Sequence, residues 1–204
     1  SAEALETAHK LDTIIFDKTG TLTKGEPEVT NIVVVKGFNE KEILQYAAIA
    51  EKHSEHPLGE AIVTKAKQEK IKLTDPKKFL SITGKGIQAV HKGKQIHLGN
   101  TKLFTDKKIP INQLMANKET LEQEGKTVMI VGINKKAAGL IAVADTLKDQ
   151  SKQAIETLKE MGIETAVLTG DNKRTAAAIA KQIGIEVVFA EVLPVRVDHR
   201  RRVE

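Results

Sequence analysis

Asp17-Lys18-Thr19-Gly20-Thr21-Leu22-Thr23 decides how this chain is read. Residues 13–16 before it, Thr-Ile-Ile-Phe, form a short β-rich apolar run, and glycine and threonine follow with turn chemistry. The aspartate is therefore expected just past the C-terminal end of a strand, which in a parallel sheet is where ligands bind. A carboxylate so placed can attack phosphorus and form an aspartyl phosphate. Gly20 lets backbone N–H groups turn toward phosphoryl oxygens, and Thr19 and Thr21 add donors. Asp-x-x-Gly alone is also a common surface turn. The seven residues in order separate the two readings.

The same grammar returns near the other end. Residues 166–168 run into Thr169-Gly170-Asp171, and 186–189 make another short β-rich run. A helix is predicted over 149–161, with Ala154, Ile155, Leu158 and Met161 on one face and Gly162 as its stop. A second is predicted over 172–183, carrying Ala176, Ile179, Ala180 and Ile183 and stopping at Gly184. Strand, helix, strand, helix, strand is the pattern of a doubly wound parallel sheet, here with its first strand far upstream. The intervening segment reads differently. It predicts a helix from the Asn39–Glu42 capping box to about Lys52 and another opened by Pro57. Strands are predicted over 79–83, 86–91 and 94–98, then a helix over 111–124 and a hairpin of 127–133 with 137–144 around Asn134-Lys135. The expected fold class is α/β, a doubly wound parallel sheet with an inserted α+β domain of antiparallel strands and helices.

Composition removes several alternatives. With 204 residues, 40% apolar and 29% charged, the chain is expected to fold around a substantial core. Aromatics at 3% leave few platforms for stacking bases, so no nucleic-acid partner is expected. The absence of cysteine excludes disulfides, thiolate metal sites and a cysteine nucleophile in these residues. The net charge of +5 is distributed unevenly. Lysines alternate with acids through the body, whereas Arg196, Arg200, Arg201 and Arg202 crowd the end. Residues 195–204 read as an atypical tail, foreign to the composition before it; without it 28 basic residues face 25 acidic ones, a solvated surface. No apolar run is long enough to span a bilayer and no signal peptide opens the chain, so a soluble piece is expected. His9, His53, His91 and His97 show no ligand spacing.

The seven-residue run resembles the phosphorylation motif of the P-type ATPases, within the haloacid-dehalogenase-like superfamily. The resemblance implies that Asp17 accepts the γ-phosphate of ATP with Mg²⁺ present, that Lys18 and Thr19 share the catalytic motif, and that Asp17 and Thr19 lie at the metal. Phosphatases of that superfamily often carry a second acid where this chain has Thr19, so slow hydrolysis of the phosphoenzyme is expected. Thr169-Gly170-Asp171 resembles the family's second phosphate-side motif, which makes these three residues catalytic candidates. Asp145-Thr146-Leu147-Lys148 resembles its hinge between domains.

Ser54-Glu55-His56-Pro57 resembles a motif of the heavy-metal-transporting members, as do Gly84-Lys85-Gly86 and Gly99-Asn100. By that resemblance Glu51, His56, Gly84, Gly86, Gly99 and Asn100 bind ATP. The chemistry agrees: imidazole stacks and hydrogen-bonds, a carboxylate accepts from an exocyclic amine, and glycine admits close backbone approach. The implied domains are a discontinuous phosphorylation domain at 1–27 and 145–194 and a nucleotide-binding domain at 28–144. The implied whole is an integral membrane export pump with this part on the cytoplasmic face. Its other partners are its own transmembrane and actuator domains and a transported ion, Cu⁺/Ag⁺ preferred and Zn²⁺/Cd²⁺ as the alternative.

The resemblance stops after Leu193-Pro194. Val197 stands where the family places a phosphate-contacting lysine, and the Gly-Asp-Gly-x-x-Asn-Asp motif that holds Mg²⁺ does not follow. A truncated phosphorylation domain, inactive in phosphorylation on its own, is therefore expected. Two rival readings are a soluble haloacid-dehalogenase-like phosphatase and a nucleotide-binding module without catalysis.

Overall fold

The structure is a computed structural model that describes residues 11–54 and 56–192. Glu55, the Leu193-Pro194 pair, Val197 and the 195–204 tail lie outside the described residues. The chain leaves β1 (Thr13–Asp17) through a tight turn and enters β2 (Glu28–Val34), α1 (Glu40–Glu51) and α2 (Pro57–Gln68). There follow β3 (Lys78–Ile82), β4 (Gly86–His91), β5 (Lys94–Gly99), α3 (Thr101–Asp106), α4 (Asn112–Gln123), β6 (Thr127–Ile133) and β7 (Lys136–Ala144). It returns through α5 (Ser151–Glu160), β8 (Glu164–Leu168), α6 (Lys173–Ile183) and β9 (Val187–Phe189).

Two sheets result. One is parallel, in the order β1-β8-β9, with Asp17 opposite Leu168 and Leu168 opposite Phe189. The other has six antiparallel strands in the order β2-β7-β6-β5-β4-β3. The long crossover foreseen in the sequence is thus real: the strand before the aspartate turn pairs with one that follows the whole six-stranded unit.

The six-stranded sheet is covered on both faces, which is why β6 and β7 read as nearly continuous apolar runs. Alternate β6 residues go to opposite sides. Met129, Val131 and Ile133 join Ile43, Leu44, Ala47 and Ile62 of α1 and α2, whereas Val128 and Ile130 join Leu103, Phe104 and Leu114 of α3 and α4. Ile43, Leu44, Ile62, Leu103 and Phe104 are fully shielded. Each such side chain contributes about 1.5–3 kcal/mol. α1 begins as the sequence predicts: Asn39 Oδ1 accepts from Glu42 N at 2.9 Å, and Asn39 Nδ2 donates to Glu42 Oε2 at 3.0 Å. The three-stranded unit has its own core of Leu22, Ile155, Val167, Ala180, Ile183 and Ile185.

Several details differ from the sequence reading. Of the four apolar residues expected on the face of α5 only Ile155 is buried, and Met161 at its end is exposed. Asp17 is the last residue of β1 rather than the first beyond it. β2 escapes prediction because its pairing with β7 shifts register between Val29 and Asn31, which breaks the alternation on which a strand is recognised. α3 is only six residues long, too short for a periodic signal.

Two antiparallel passes join the units. Thr23 bridges Leu147, Lys24 N donates to Thr146 O at 2.8 Å, and Lys148 N donates to Leu22 O at 3.0 Å. Asp145 ties them together, accepting from Thr23 Oγ1 at 2.6 Å, Gly25 N at 3.1 Å and Glu26 N at 3.3 Å.

Candidate functional site

The residues singled out in the sequence gather in two groups, one on each unit. The first lies at the carboxyl ends of β1 and β8. Gly20, at φ +78°, turns the chain so that the turn closes with Thr23 N donating to Lys18 O at 3.1 Å. Asp17 remains exposed, and its Oδ1 accepts from Thr19 N at 3.2 Å. Lys18 is committed elsewhere: its Nζ lies 2.6 Å from Asp171 Oδ2, with both side chains largely shielded. Thr169 is buried, and its hydroxyl donates to Asp171 Oδ2 at 3.1 Å. Gly170 carries the chain between Thr169 and Asp171, and a Cβ there would meet only Val192 O, at 3.5 Å.

Asp171 is the electrostatic centre of this group. Burial pushes its carboxyl up. The charge and hydrogen bond of Lys18, with hydrogen bonds from Thr127 and Thr169, outweigh that and hold it below its ordinary value of 3.8. Thr127 belongs to β6 of the other unit and donates from Oγ1 to Asp171 Oδ1 at 2.7 Å. Sequence reasoning missed it, because a threonine opening a β-rich run reads as strand propensity. Lys148 was noticed only as part of a hinge motif. Its Nζ donates to Gly20 O at 2.6 Å and so braces the aspartate turn.

The second group lies where α1 ends and α2 begins, above the start of β4. Ile49 and Ala50, just before Glu51, share a buried cluster with Ile87, just after Gly86, so the two candidate segments adjoin. Glu51 is only 6% exposed and its Oε2 has no hydrogen-bond partner. Burial raises its pKa, and a hydrogen bond with Ser54 only partly opposes this. Gly59 makes room for that carboxylate: a Cβ there would stand 2.4 Å from Glu51 Oε2. His56 caps α2, its Nδ1 accepting from Leu58 N at 3.3 Å. A ring that accepts at Nδ1 carries its proton on Nε2, which leaves that N–H as a donor. Partial burial pushes the His56 pKa down, and the Asp171 carboxylate pulls it the other way. That influence brings the two groups into one electrostatic neighbourhood.

The glycine loop does something the sequence did not reveal. A Cβ on Gly86 would meet Leu98 O at 2.2 Å, and one on Gly99 would meet Lys85 O at 2.1 Å. The close backbone approach expected for a ligand is, in this structure, an approach of the 84–86 loop to the end of β5. Asn100 fastens it. Its Nδ2 donates to Gly84 O at 2.8 Å, its N donates to Lys85 O at 2.9 Å, and its Oδ1 caps α3 by accepting from Leu103 N at 3.2 Å.

Among the described residues no group of three or more His, Asp or Glu side chains is disposed to hold a metal ion. At the aspartate turn Asp17 offers an exposed carboxylate, while Asp171 is consumed by Lys18. This donor set fits Mg²⁺ when water and nucleotide phosphates complete the shell, since Mg²⁺ takes only one or two carboxylates in such sites.

A parallel sheet with an aspartate turn at its carboxyl edge, interrupted by an inserted unit, defines the class: the chain matches the haloacid dehalogenase-like hydrolase family over residues 11–201 and belongs to it. Closer relatives are more particular. The chain is 50% identical over 192 residues to a copper-exporting P-type ATPase of Bacillus subtilis, covering 94% of this chain and 24% of that protein. It is 48% identical over 195 residues to a probable copper-exporting P-type ATPase of Archaeoglobus fulgidus, again covering 24% of it. The chain thus spans about a quarter of the curated relatives it matches. Among solved structures, the catalytic domain of the CPx-ATPase CopB-B superposes with a TM-score of 0.68 at 27% identity, over 94% of this chain and 66% of that one. A zinc-transporting PIB-type ATPase in its E2.Pi state gives 0.65 at 35% identity, over 90% of this chain and 30% of that one.

Proposed function

We propose that this chain is the ATP-binding and phosphoryl-accepting portion of an ATP-driven heavy-metal export pump, with Cu⁺/Ag⁺ as the preferred cargo. The single observation that carries the reading is the orphaned buried Glu51 acceptor beside the α2-capping His56 on the six-stranded unit, carried by the same chain as the phosphate-type aspartate turn on the other. We assign residues 28–144 to a nucleotide-binding domain and 1–27 with 145–194 to a phosphorylation domain, and the separation of the described strands into a six-stranded and a three-stranded sheet supports this. The copper-exporting names of the close relatives support the cargo. No helix among the described residues is long and apolar enough to cross a membrane. In this proposal the transport path and the actuator belong to the rest of the pump, with this part on its cytoplasmic side.

In this mechanism Glu51 and the His56 Nε2–H hold the adenine end of ATP, and the loop of Gly84 and Gly86, fastened by Gly99 and Asn100, shapes the wall beside it. The triphosphate reaches toward β1. An Asp17 carboxylate oxygen attacks the γ-phosphorus in line with the β,γ-bridging oxygen; the new O–P bond forms as the old one breaks, and ADP leaves with that electron pair. Bound Mg²⁺ supplies charge neutralisation at the moving phosphate, and Asp17 with Thr19 and the phosphates would hold it. Thr169 offers a hydroxyl to the phosphoryl oxygens, while Asp171 keeps Lys18 beside the turn. Thr19 offers no carboxylate to activate a water against the phosphorylated Asp17, which supports a lasting phosphoenzyme over phosphatase turnover.

Titration calorimetry tests the site. ATP binding is expected in the wild-type chain, lost in His56→Ala and retained in Asp17→Asn. Equal binding in His56→Ala removes the nucleotide assignment. A hydroxylamine-sensitive label on Asp17 after incubation of this chain with Mg²⁺-ATP would show that residues beyond it are dispensable for transfer, against expectation.

A further inference from the structure

Apart from the hinge, the two units meet at the end of α4 and the start of β6, residues 122–127, with exposed ion pairs of Arg174 with Glu119 and of Lys102 with Glu191 beside it. Among the described residues the polar contacts of this connection to the three-stranded unit fall on Asp171, Asn172, Arg174 and Thr175. Glu122, only 1% exposed, accepts from Lys118, from Arg174 Nη1 at 2.8 Å and from Asn172 Nδ2 at 2.9 Å. Lys126 O accepts from Thr175 Oγ1 at 2.8 Å, and Thr127 Oγ1 donates to Asp171 Oδ1 at 2.7 Å. A Cβ on Gly125 would lie 2.8 Å from Ile179 Cδ1, so the connection also packs tightly against α6.

These contacts govern orientation. Asn172 caps α6, its Oδ1 accepting from Arg174 N at 3.0 Å and Thr175 N at 3.1 Å. With the oxygen so used, the amide NH₂ must point outward, and the Glu122 carboxylate receives it. Asp171 is divided in the same way: Lys18 and Thr169 hold Oδ2 from its own unit, and Thr127 holds Oδ1 from the other. Asp171 of the phosphate-side turn and Asn172 directly after it are therefore oriented by groups that the inserted unit supplies.

We propose that the 122–127 connection, acting through Glu122 and Thr127, is the positioning element for the Thr169–Asp171 turn, so that this turn is correctly set only while the two units are closed on each other. The functional weight of this rests on the reading that the turn meets the transferred phosphate. Closure then does more than deliver a nucleotide, because it also completes the turn that receives it. When the units part, Asp171 loses a donor and the Asn172 amide keeps only Thr175 Oγ1, at 3.1 Å, as an acceptor, while Arg174 leaves a buried carboxylate behind. Glu122 and Thr127 are positioning residues and touch no reacting atom.

The test is amide hydrogen exchange on the ¹⁵N-labelled chain, read at Asp171, Arg174 and Thr175, with ATP calorimetry alongside. Thr127→Val is expected to speed exchange at Asp171 by about tenfold, the scale of one lost hydrogen bond to a charged group. Thr127→Ser, which restores the hydroxyl, is expected to return it to the wild-type rate. Glu122→Gln is expected to speed exchange at Arg174 and Thr175 by about as much and to shift the Asn172 side-chain NH₂ resonances. ATP affinity stays within about twofold in both, because neither Glu122 nor Thr127 is among the residues assigned to the nucleotide. Unchanged exchange in Thr127→Val and Glu122→Gln overturns the proposal. So does a serine variant that behaves like valine, which would make volume rather than the donor responsible. If Glu122→Gln does not fold, Arg174→Lys reads the same contact, and unchanged exchange there overturns it equally. Failure of wild-type ATP binding removes the functional reading and leaves the exchange result standing.

Discussion

Glu51 in the six-stranded unit and Asp171 in the three-stranded unit are both buried carboxylates, and their surroundings drive them in opposite directions. Asp171 is surrounded by donors: an ammonium and two hydroxyls more than repay its burial, and its pKa falls. Glu51 keeps one oxygen without a partner, and burial, opposed only by Ser54, raises its pKa. A saturated carboxylate organises structure, whereas an unsaturated one is available to a ligand donor. The contrast assigns Asp171 to holding the phosphate-side turn and Glu51 to recognition.

The largest expected effect tests the saturated side. Asp171→Ala leaves the Lys18 ammonium, with a side chain 11% exposed, without its partner, and should cost about 3–5 kcal/mol in urea unfolding. A loss below ~1 kcal/mol would mean that the ion pair organises nothing. Gly86→Ala should cost about 2 kcal/mol, since a Cβ 2.2 Å from Leu98 O forces the backbone at φ +136° to move. Asn100→Ala removes the α3 cap and the bond to Gly84 O, about 1–2 kcal/mol by thermal melting. At the small end, Glu51→Gln should change stability by less than about 1 kcal/mol, toward greater stability at neutral pH, because it removes a charge that burial disfavours.

Acid unfolding separates the two carboxylates by sign. The folded-state pKa of Asp171 lies below 3.8, so the stability it contributes is present above that value and is lost as pH falls through the depressed one. Glu51 has a folded-state pKa above 4.5, so its penalty is present at neutral pH, is relieved as pH falls through the raised value and is gone below 4.5. Stability profiles of Glu51→Gln should therefore lack a gain between neutrality and pH 4.5 that the wild type shows. A wild-type profile that only falls over that interval would contradict the Glu51 environment.

Much of this was legible in the sequence because it is local. The aspartate turn, the Thr169–Asp171 turn, the Asn39 cap, Pro57 opening α2 and the Asn134-Lys135 hairpin each depend on neighbours a few residues away. That β1 and β8 share a parallel sheet was also readable, since two turns of the same chemistry terminate similar strands. What escaped is long-range. Thr127 and Asp171 meet across the two units, as do Glu122 and Arg174, and neither pair has a pattern of its own. Lys118 and Glu122, spaced i,i+4 on α4, resemble the usual solvated helix face, and only tertiary packing buries Glu122. The glycines of the 84–86 loop and Gly99 were read as space for a ligand, yet Gly86 and Gly99 first serve the approach of their own strands. Helix or strand propensity carries no information about such contacts.

The division of labour between the two carboxylates comes down to one titration, the side-chain ¹³C shift of Glu51 followed against pH with and without ATP. Without ligand the midpoint should lie above 4.5. With saturating ATP it should move down, because a donor from the nucleotide stabilises the charged form, while the Glu51 signal of His56→Ala stays at its unliganded position. A Glu51 midpoint that ATP leaves unmoved would contradict the assignment of Glu51 to recognition.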